Sequence, residues 1–352
     1  MNILMILLQV LLQAGSNQGN SYISTIIFWI IWGIIIILSL TPYFQNYMAI
    51  MWYSYSVGNF LNSLGRLITN NVNLVINHIN QLLKSNGSSQ PTNKGLIEKT
   101  IQDLMEFVVI EPVSAEPTGL MRTLKLLVTS YNEKLEDSIR TLLPNIDRPL
   151  VQNVVDAVDG LRELNYLYKV VMHYYRLSNK YKNPALMMQL YMILPIIREY
   201  VNALNGAIST FLKGQPVGDA AGPLTAYRFM RSCSGLTELT HNVKDTYIGL
   251  CDFEGRRVYV VKARGPGGTV GNLDDGIIYL IERVGVKPRI IITVDAALKF
   301  EGEKTGSIAE GIGVAMGGIG VERFNIERTA SKYGIPLYAI LIKMGLPEPY
   351  RP

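Results

Sequence analysis

No aspartate, glutamate, lysine or arginine occurs from Met1 to Gly65; Arg66 is the first charged side chain. A soluble domain is about one quarter charged. This chain is 17% charged and 48% hydrophobic, and the deficit is concentrated at its start. Such a start points to a membrane. Dense basic tracts are also missing: the net charge is +5 without clustering, so nucleic acid is not an expected partner. There are three histidines, His78, His173 and His241, and two cysteines, Cys233 and Cys251. So few ligand-type residues, so widely spread, make no metal array. The cysteines read as free thiols of a reducing compartment ahead of a single bridge. No histidine follows Asp295, which leaves a Ser-His-Asp arrangement only His241 to recruit.

What the first third does contain is apolar. Tyr22 to Leu40 (YISTIIFWIIWGIIIILSL) is uncharged and close to the ~20 residues that cross ~30 Å of hydrocarbon. Pro42 stops it. The expectation is one transmembrane helix over 22–40 within a membrane anchor, 1–60. Ile3 to Leu12 is too short to span and reads as interfacial or re-entrant. Tyr43, Tyr47, Trp52, Tyr53 and Tyr55 suit a headgroup layer. All basic residues follow the span, which predicts a single-pass protein of the cell membrane with a cytoplasmic body and membrane lipid as a partner. Over 61–83, Leu61, Ile68, Val75 and Leu82 alternate with Gly65, Val72 and Ile79 at heptad spacing. That predicts a juxtamembrane helix, either a coiled coil between copies or an amphipathic helix on protein or lipid. A Gly/Pro/Ser-rich linker covers 84–94.

Residues 95–212 read as helical, in segments 120–143, 149–178 and 184–212, with Pro149 and Pro184 at first-turn positions and a kink at Pro195. Nothing there demands a chemical role. From 213 to 352 the pattern changes. Thr246–Phe253 and Arg256–Ala263 alternate as strands joined by Glu254-Gly255, a two-residue hairpin signal. Helical segments at 273–284 and 321–333 alternate with strands at 289–294 and 335–343. This order predicts an α/β domain with an open, mostly parallel sheet, preceded by the helical region.

Two acids stand where regular structure meets loop. Asp219 lies in Gly218-Asp219-Ala220-Ala221-Gly222-Pro223, and Asp295 closes the apolar run Ile290–Val294. Ligands gather at the carboxyl ends of parallel strands in such sheets. Singly, each acid is equally a helix-start or strand-end cap. Glycines crowd 302–320. Gly311-Ile312-Gly313-Val314-Ala315-Met316-Gly317 is one residue off a dinucleotide-binding spacing and lacks the acidic partner. The loop is therefore read as a donor of backbone N–H groups to a substrate carbonyl, or as an assembly surface.

The order of these motifs resembles the germination protease of spore-forming bacteria, an aspartic-type endopeptidase. It resembles more distantly the hydrogenase-maturation endopeptidases of the same phosphorylase/hydrolase-like fold. Asp219-Ala220-Ala221-Gly222-Pro223 is similar to the Asp-Ala-x-Gly-Pro motif of the first essential aspartate. Val294-Asp295-Ala296-Ala297 is similar to the motif of the second. Gly265-Pro266-Gly267-Gly268, Gly318-Ile319-Gly320 and Gly334-Ile335-Pro336 stand where the family has a Pro-Gly loop, a Gly-x-Gly loop and a Gly-Ile-Pro strand. In that family an apolar strand precedes the first aspartate, whereas Asn205–Lys213 here reads as helix. The whole chain also resembles an archaeal membrane-protein family without an assigned activity.

The resemblance implies a membrane-anchored aspartic-type peptidase acting on a protein or peptide substrate. Asp219 and Asp295 would be catalytic, Gly267, Gly268, Gly318 and Gly320 would bind substrate, and neither metal nor cofactor is called for. The competing expectation is a non-catalytic membrane scaffold that reuses the fold and forms a homo-oligomer through its heptad helix or glycine loop.

Overall fold

The computed structural model describes residues 21–86, 94–110, 117–265, 267–317, 320–345 and 347–351. The expected re-entrant segment at Ile3–Leu12 and most of the 84–94 linker lie outside them. Among the described residues six helices come first: α1 (Ser21–Leu40), α2 (Pro42–Ser85), α3 (Lys94–Met105), α4 (Pro117–Leu142), α5 (Arg148–Tyr181) and α6 (Pro184–Leu212). After a 3₁₀ turn at Gly218–Ala220 come α7 (Ala221–Ser232), β1 (Ser234–Glu238), β2 (Thr246–Phe253), β3 (Arg256–Ala263) and α8 (Leu273–Ile278). The order ends with β4 (Ile291–Leu298), β5 (Ile308–Ile312), α9 (Val321–Tyr333), β6 (Leu337–Met344) and a 3₁₀ turn at Glu348–Tyr350.

Two expectations fail. Among the described residues no helix is long and apolar enough to cross a membrane. Helix α1 forms, but Ser21, Ser24 and Thr25 at one end and Ser39 at the other leave an unbroken apolar stretch of roughly 13 residues. At 1.5 Å per residue that is about 20 Å, short of the ~30 Å hydrocarbon core. The open, mostly parallel sheet is also absent. In its place are two three-stranded sheets, ordered β1-β2-β3 and β4-β6-β5. The Glu254-Gly255 turn forces β2 and β3 antiparallel, and β1 adds antiparallel to β2. Among the described residues only β4 and β6, connected through β5 and α9, are parallel, from Ile291↔Leu337 to Leu298↔Met344. Strand β5 comes from inside the glycine-rich run and pairs antiparallel with β6.

The chain divides into two compact units. One comprises residues up to Asn62 together with Lys169–Leu194. Here Tyr175 stands against Gly58 and its hydroxyl accepts a hydrogen bond from Ser54 Oγ at 3.2 Å. Trp52, Tyr53 and Tyr191 form a ring cluster with centroids 5.1–5.4 Å apart.

The other unit comprises Ser63–Tyr168 and Pro195–Pro352. Its helical core buries Leu64, Ile79, Ile101, Ile139, Leu161 and Ile208. Gly160 lets α5 approach α6: a Cβ there would come 2.9 Å from Ile208 Cγ1. Asn71 Nδ2 donates to Asn205 Oδ1 at 2.7 Å and sits in the same buried stripe as Val75, Ile79 and Leu83. The heptad-like spacing of 61–83 is thus largely spent on burial within the chain. The cysteines are corrected too: Cys233 and Cys251 form a disulfide, with Cα atoms 5.8 Å apart. Cys233 follows α7 and Cys251 lies mid-β2, a juxtaposition that a sequence separation of 18 does not reveal.

Candidate active site

The segment carrying Asp219 is placed by close packing at two glycines. Gly218 lies on the carbonyl of Glu348, too near for any Cβ, and its N–H donates to Arg351 O at 2.7 Å. Gly222, in the first turn of α7, lies on the middle of β4: a Cβ would meet Val294 O at 2.6 Å and Asp295 Cα at 3.7 Å. Pro223 suits this first turn, where a missing N–H goes unnoticed. The two contacts clamp the 3₁₀ turn between the C-terminal segment and the middle of β4, where Asp295 stands inside the strand and not at the carboxyl end that the apolar run Ile290–Val294 suggests. Asp219 and Asp295 are thereby neighbours.

Their surroundings differ. Asp295 is half-buried, and its carboxylate is held by two backbone donors. Oδ1 accepts from Ala296 N at 2.8 Å and Oδ2 from Gly317 N at 2.7 Å. Asp219 stays within reach of solvent. Its carboxyl is nevertheless raised above its ordinary value, first by desolvation against the surrounding protein and second by the charge of Asp295. A like charge beside a carboxyl makes its ionisation harder, so the neighbouring acid adds to the effect of burial on Asp219.

The glycine loop contributes through its backbone. After β5 it runs beneath β4, with Val314 and Ala315 buried. Ala315 N donates to Thr293 Oγ1 at 2.8 Å, two residues before Gly317 reaches Asp295. These donors are already engaged with β4, and the adjoining acids would repel a phosphate. A dinucleotide site at 311–317 is therefore disfavoured. Gly320, at φ +85°, begins α9, and Gly318 lies outside the described residues.

Gly267 and Gly268 are engaged with a different acid, Asp156. Gly268 N donates to Asp156 Oδ2 at 2.7 Å, and Gly267 (φ +57°) lies directly against that oxygen, with no space for a side chain. Their turn clasps an acid of α5. Burial pushes the Asp156 carboxyl up to about 6, against the opposing hydrogen bonds from Gly268 and Gln152. No motif marks Asp156 in the sequence, and its role emerges only once the turn folds over it.

Other charged side chains of the C-terminal region have local partners. Arg264 pairs with Glu238 and Glu303 with Lys343, while Lys262 Nζ donates to Ala263 O at 2.7 Å. Glu348 is held below its ordinary value chiefly by the N–H of Gly345, and also by Thr305 Oγ1 at 2.8 Å. This contact, missed at the sequence level, secures the C-terminal segment on which Gly218 rests. Among the described residues no three His, Cys, Asp or Glu side chains gather as a metal site.

Residues 29–214 match the family model described as "Protein of unknown function (DUF1512) N-terminal domain", and residues 217–351 match "Domain of unknown function (DUF1512) C-terminal". The chain belongs to the DUF1512 family. No curated protein and no solved structure matches it. The junction between the two DUF1512 domains falls just before the Gly218–Ala220 turn, so Asp219 and Asp295 both lie in the C-terminal domain.

Proposed function

We propose that the C-terminal domain is an aspartic-type peptidase acting through Asp219 and Asp295. One observation carries the reading: the charge of Asp295, itself held by two N–H donors, helps to raise the carboxyl of Asp219. The roles follow from that asymmetry. Ionised Asp295 takes a proton from water as the water oxygen bonds to the scissile carbonyl carbon. Protonated Asp219 donates its proton to the carbonyl oxygen, giving a gem-diol. In the second step Asp295 returns its proton to the leaving nitrogen, the C–N bond breaks, and Asp219 recovers a proton from the diol. Both acids end as they began.

A second reading is supported by the same hydrogen bonds. Asp295 already accepts two N–H groups, as a purely structural clip for the glycine loop would. In that reading the chain is a scaffold. A membrane-surface setting is part of both readings. It rests on the uncharged start of the chain and on exposed Ile26, Trp29 and Trp52.

The test is proteolysis of a peptide library by the full chain, with cleavage sites read by mass spectrometry. Asp219→Asn and Asp295→Asn should each abolish cleavage while Asp156→Asn retains it. Activity should favour the acid side and decline as pH rises through the elevated pKa of Asp219. Undiminished cleavage by both folded variants would remove the acid pair from the chemistry, and no cleavage by the folded wild type would leave the scaffold reading standing.

A further inference from the structure

We propose that the outer face of the β4-β6-β5 sheet is a two-fold interface between copies of this chain. Strand alternation sends Thr293, Asp295 and Ala297 of β4, with buried Ala339 of β6, to the inner face. The outer face carries Ile292, Val294, Ala296 and Leu298 of β4 and Tyr338, Ile340, Ile342 and Met344 of β6. From β5 come Ile308, Glu310 and Ile312. Every residue of that face except Glu310 is apolar or aromatic.

The outer face is left open to solvent. Ile312 is 90% exposed, Leu298 67%, Ile308 66%, Ile292 55% and Tyr338 48%; Phe300, continuing the β4 stripe, is 81% exposed. Isolated exposed hydrophobics need no explanation, but a contiguous patch of this size marks an interaction surface. Large side chains exposed to this degree present on the order of 100 Å² each, so these six offer very roughly 600–900 Å². A stable complex needs about 800 Å² from each partner, so the patch supplies one side of a standard interface.

The occupant is a second copy because the patch complements itself. Two three-stranded sheets pack face to face about 10 Å apart with their strands nearly aligned, interleaving alternate side chains. A two-fold axis brings the same apolar patch to both sides. A charged partner would find only Glu310 to read. Glu310 lies on β5, an edge strand, so its carboxylate stays at the wet rim of such a sandwich. Asp295 points to the opposite face, so the interface neither uses nor blocks the acid pair, and its failure would say nothing about peptidase activity.

The test is the mass of the purified full chain by light scattering and sedimentation at micromolar concentration. The wild type should run at twice its 39.3 kDa chain mass. The double variant Ile308→Lys/Ile312→Lys should weaken self-association at least about a hundredfold and run at single-chain mass with unchanged far-ultraviolet circular dichroism. Leu126→Lys, an equally exposed site on α4, should stay dimeric. If the double variant misfolds, the milder Ile312→Ser decides by its dissociation constant. A wild-type monomer, or folded sheet variants that assemble as well as the wild type, overturns the proposal; the latter result places assembly elsewhere.

Discussion

Gly222 of α7 touches the carbonyl of Val294 on β4, at a spacing that leaves no room for a Cβ. This contact, one residue from Asp295 and three from Asp219, sets the separation of the two acids. Gly222→Ala would place its methyl 2.6 Å from Val294 O, which neither backbone can yield without moving α7 off β4. Overpacking of this kind costs about 1–3 kcal/mol. The expected outcome is a lower thermal midpoint together with loss of any Asp219-dependent cleavage. Gly206→Ala is the control: nothing lies within 4 Å of a Cβ there, and its midpoint should not fall. Equal midpoints for Gly222→Ala and the wild type would remove this contact from the account of the site.

The fold is expected to strengthen on mild acidification because of Asp156. Its carboxyl is pushed up to about 6 from an ordinary 3.8, chiefly by burial. With the folded pKa above the unfolded one, the stabilising contribution is complete below the unfolded value. It is lost as pH rises through about 6. The swing is on the order of 3 kcal/mol. Asp156→Asn keeps an oxygen for the N–H of Gly268 but cannot ionise. At pH 7 the variant should melt a few degrees above the wild type, and at pH 4 the two should converge. A variant less stable than the wild type at pH 7 would show that the ionised carboxylate is the form that holds the Gly267-Gly268 turn.

The sequence exposes local structure better than the contacts that build the site. Pro184 opens a helix that ends at Leu212, and Glu254-Gly255 turns β2 into β3, because such signals act through backbone torsions within a few residues. Strand β5 is hidden because Glu310 interrupts the apolar face of Ile308 and Ile312, and Gly311 beside it belongs to a run that reads as loop. Strand order along a chain does not specify pairing; one hairpin is enough to divert two strands out of a parallel sheet into a separate one. Polar residues at the ends of α1 shorten its apolar length below what its lack of charge suggests. Motif order nominated Asp219 and Asp295. Their proximity depends on Gly218 meeting Glu348 and Gly222 meeting Val294, long-range packing with no spacing rule. Gly267 and Gly268 matched a loop by pattern, yet packing gives them to Asp156.

The disulfide joins the end of α7 to the middle of β2, so it should stabilise the helix whose first turn carries Gly222. Closing a loop with a sequence separation of 18 restricts the unfolded chain by about 3 kcal/mol. Reductant should lower the thermal midpoint of the wild type but leave Cys233→Ser unchanged. Cys233 is the better site for the substitution because Cys251 is buried beside Met230 and Val260, where a hydroxyl adds its own penalty. A reductant-insensitive wild type whose thiols do become titratable would show that the bridge contributes nothing to stability.

Lys125 joins the helical region to the α/β elements by pairing with a carboxylate, that of Asp274, which cannot reach water. Its Nζ donates to Asp274 Oδ2 at 2.8 Å and to Asp275 Oδ2 at 3.0 Å; the Asp274 side chain is fully buried. Asn325 Nδ2 also donates to Asp274 Oδ2, at 2.8 Å, while Oδ1 has no protein partner. Lys125→Met keeps the stem but strands a buried carboxylate, which costs about 3–5 kcal/mol. Asp274→Asn should cost less, since Asn325 can still donate to the amide oxygen. In the double variant Lys125→Met/Asp274→Asn the penalties should fall well short of their sum, because no buried charge remains to be stranded. Denaturant melts of the four chains measure that coupling; additive penalties would mean that Lys125 serves the fold through packing alone.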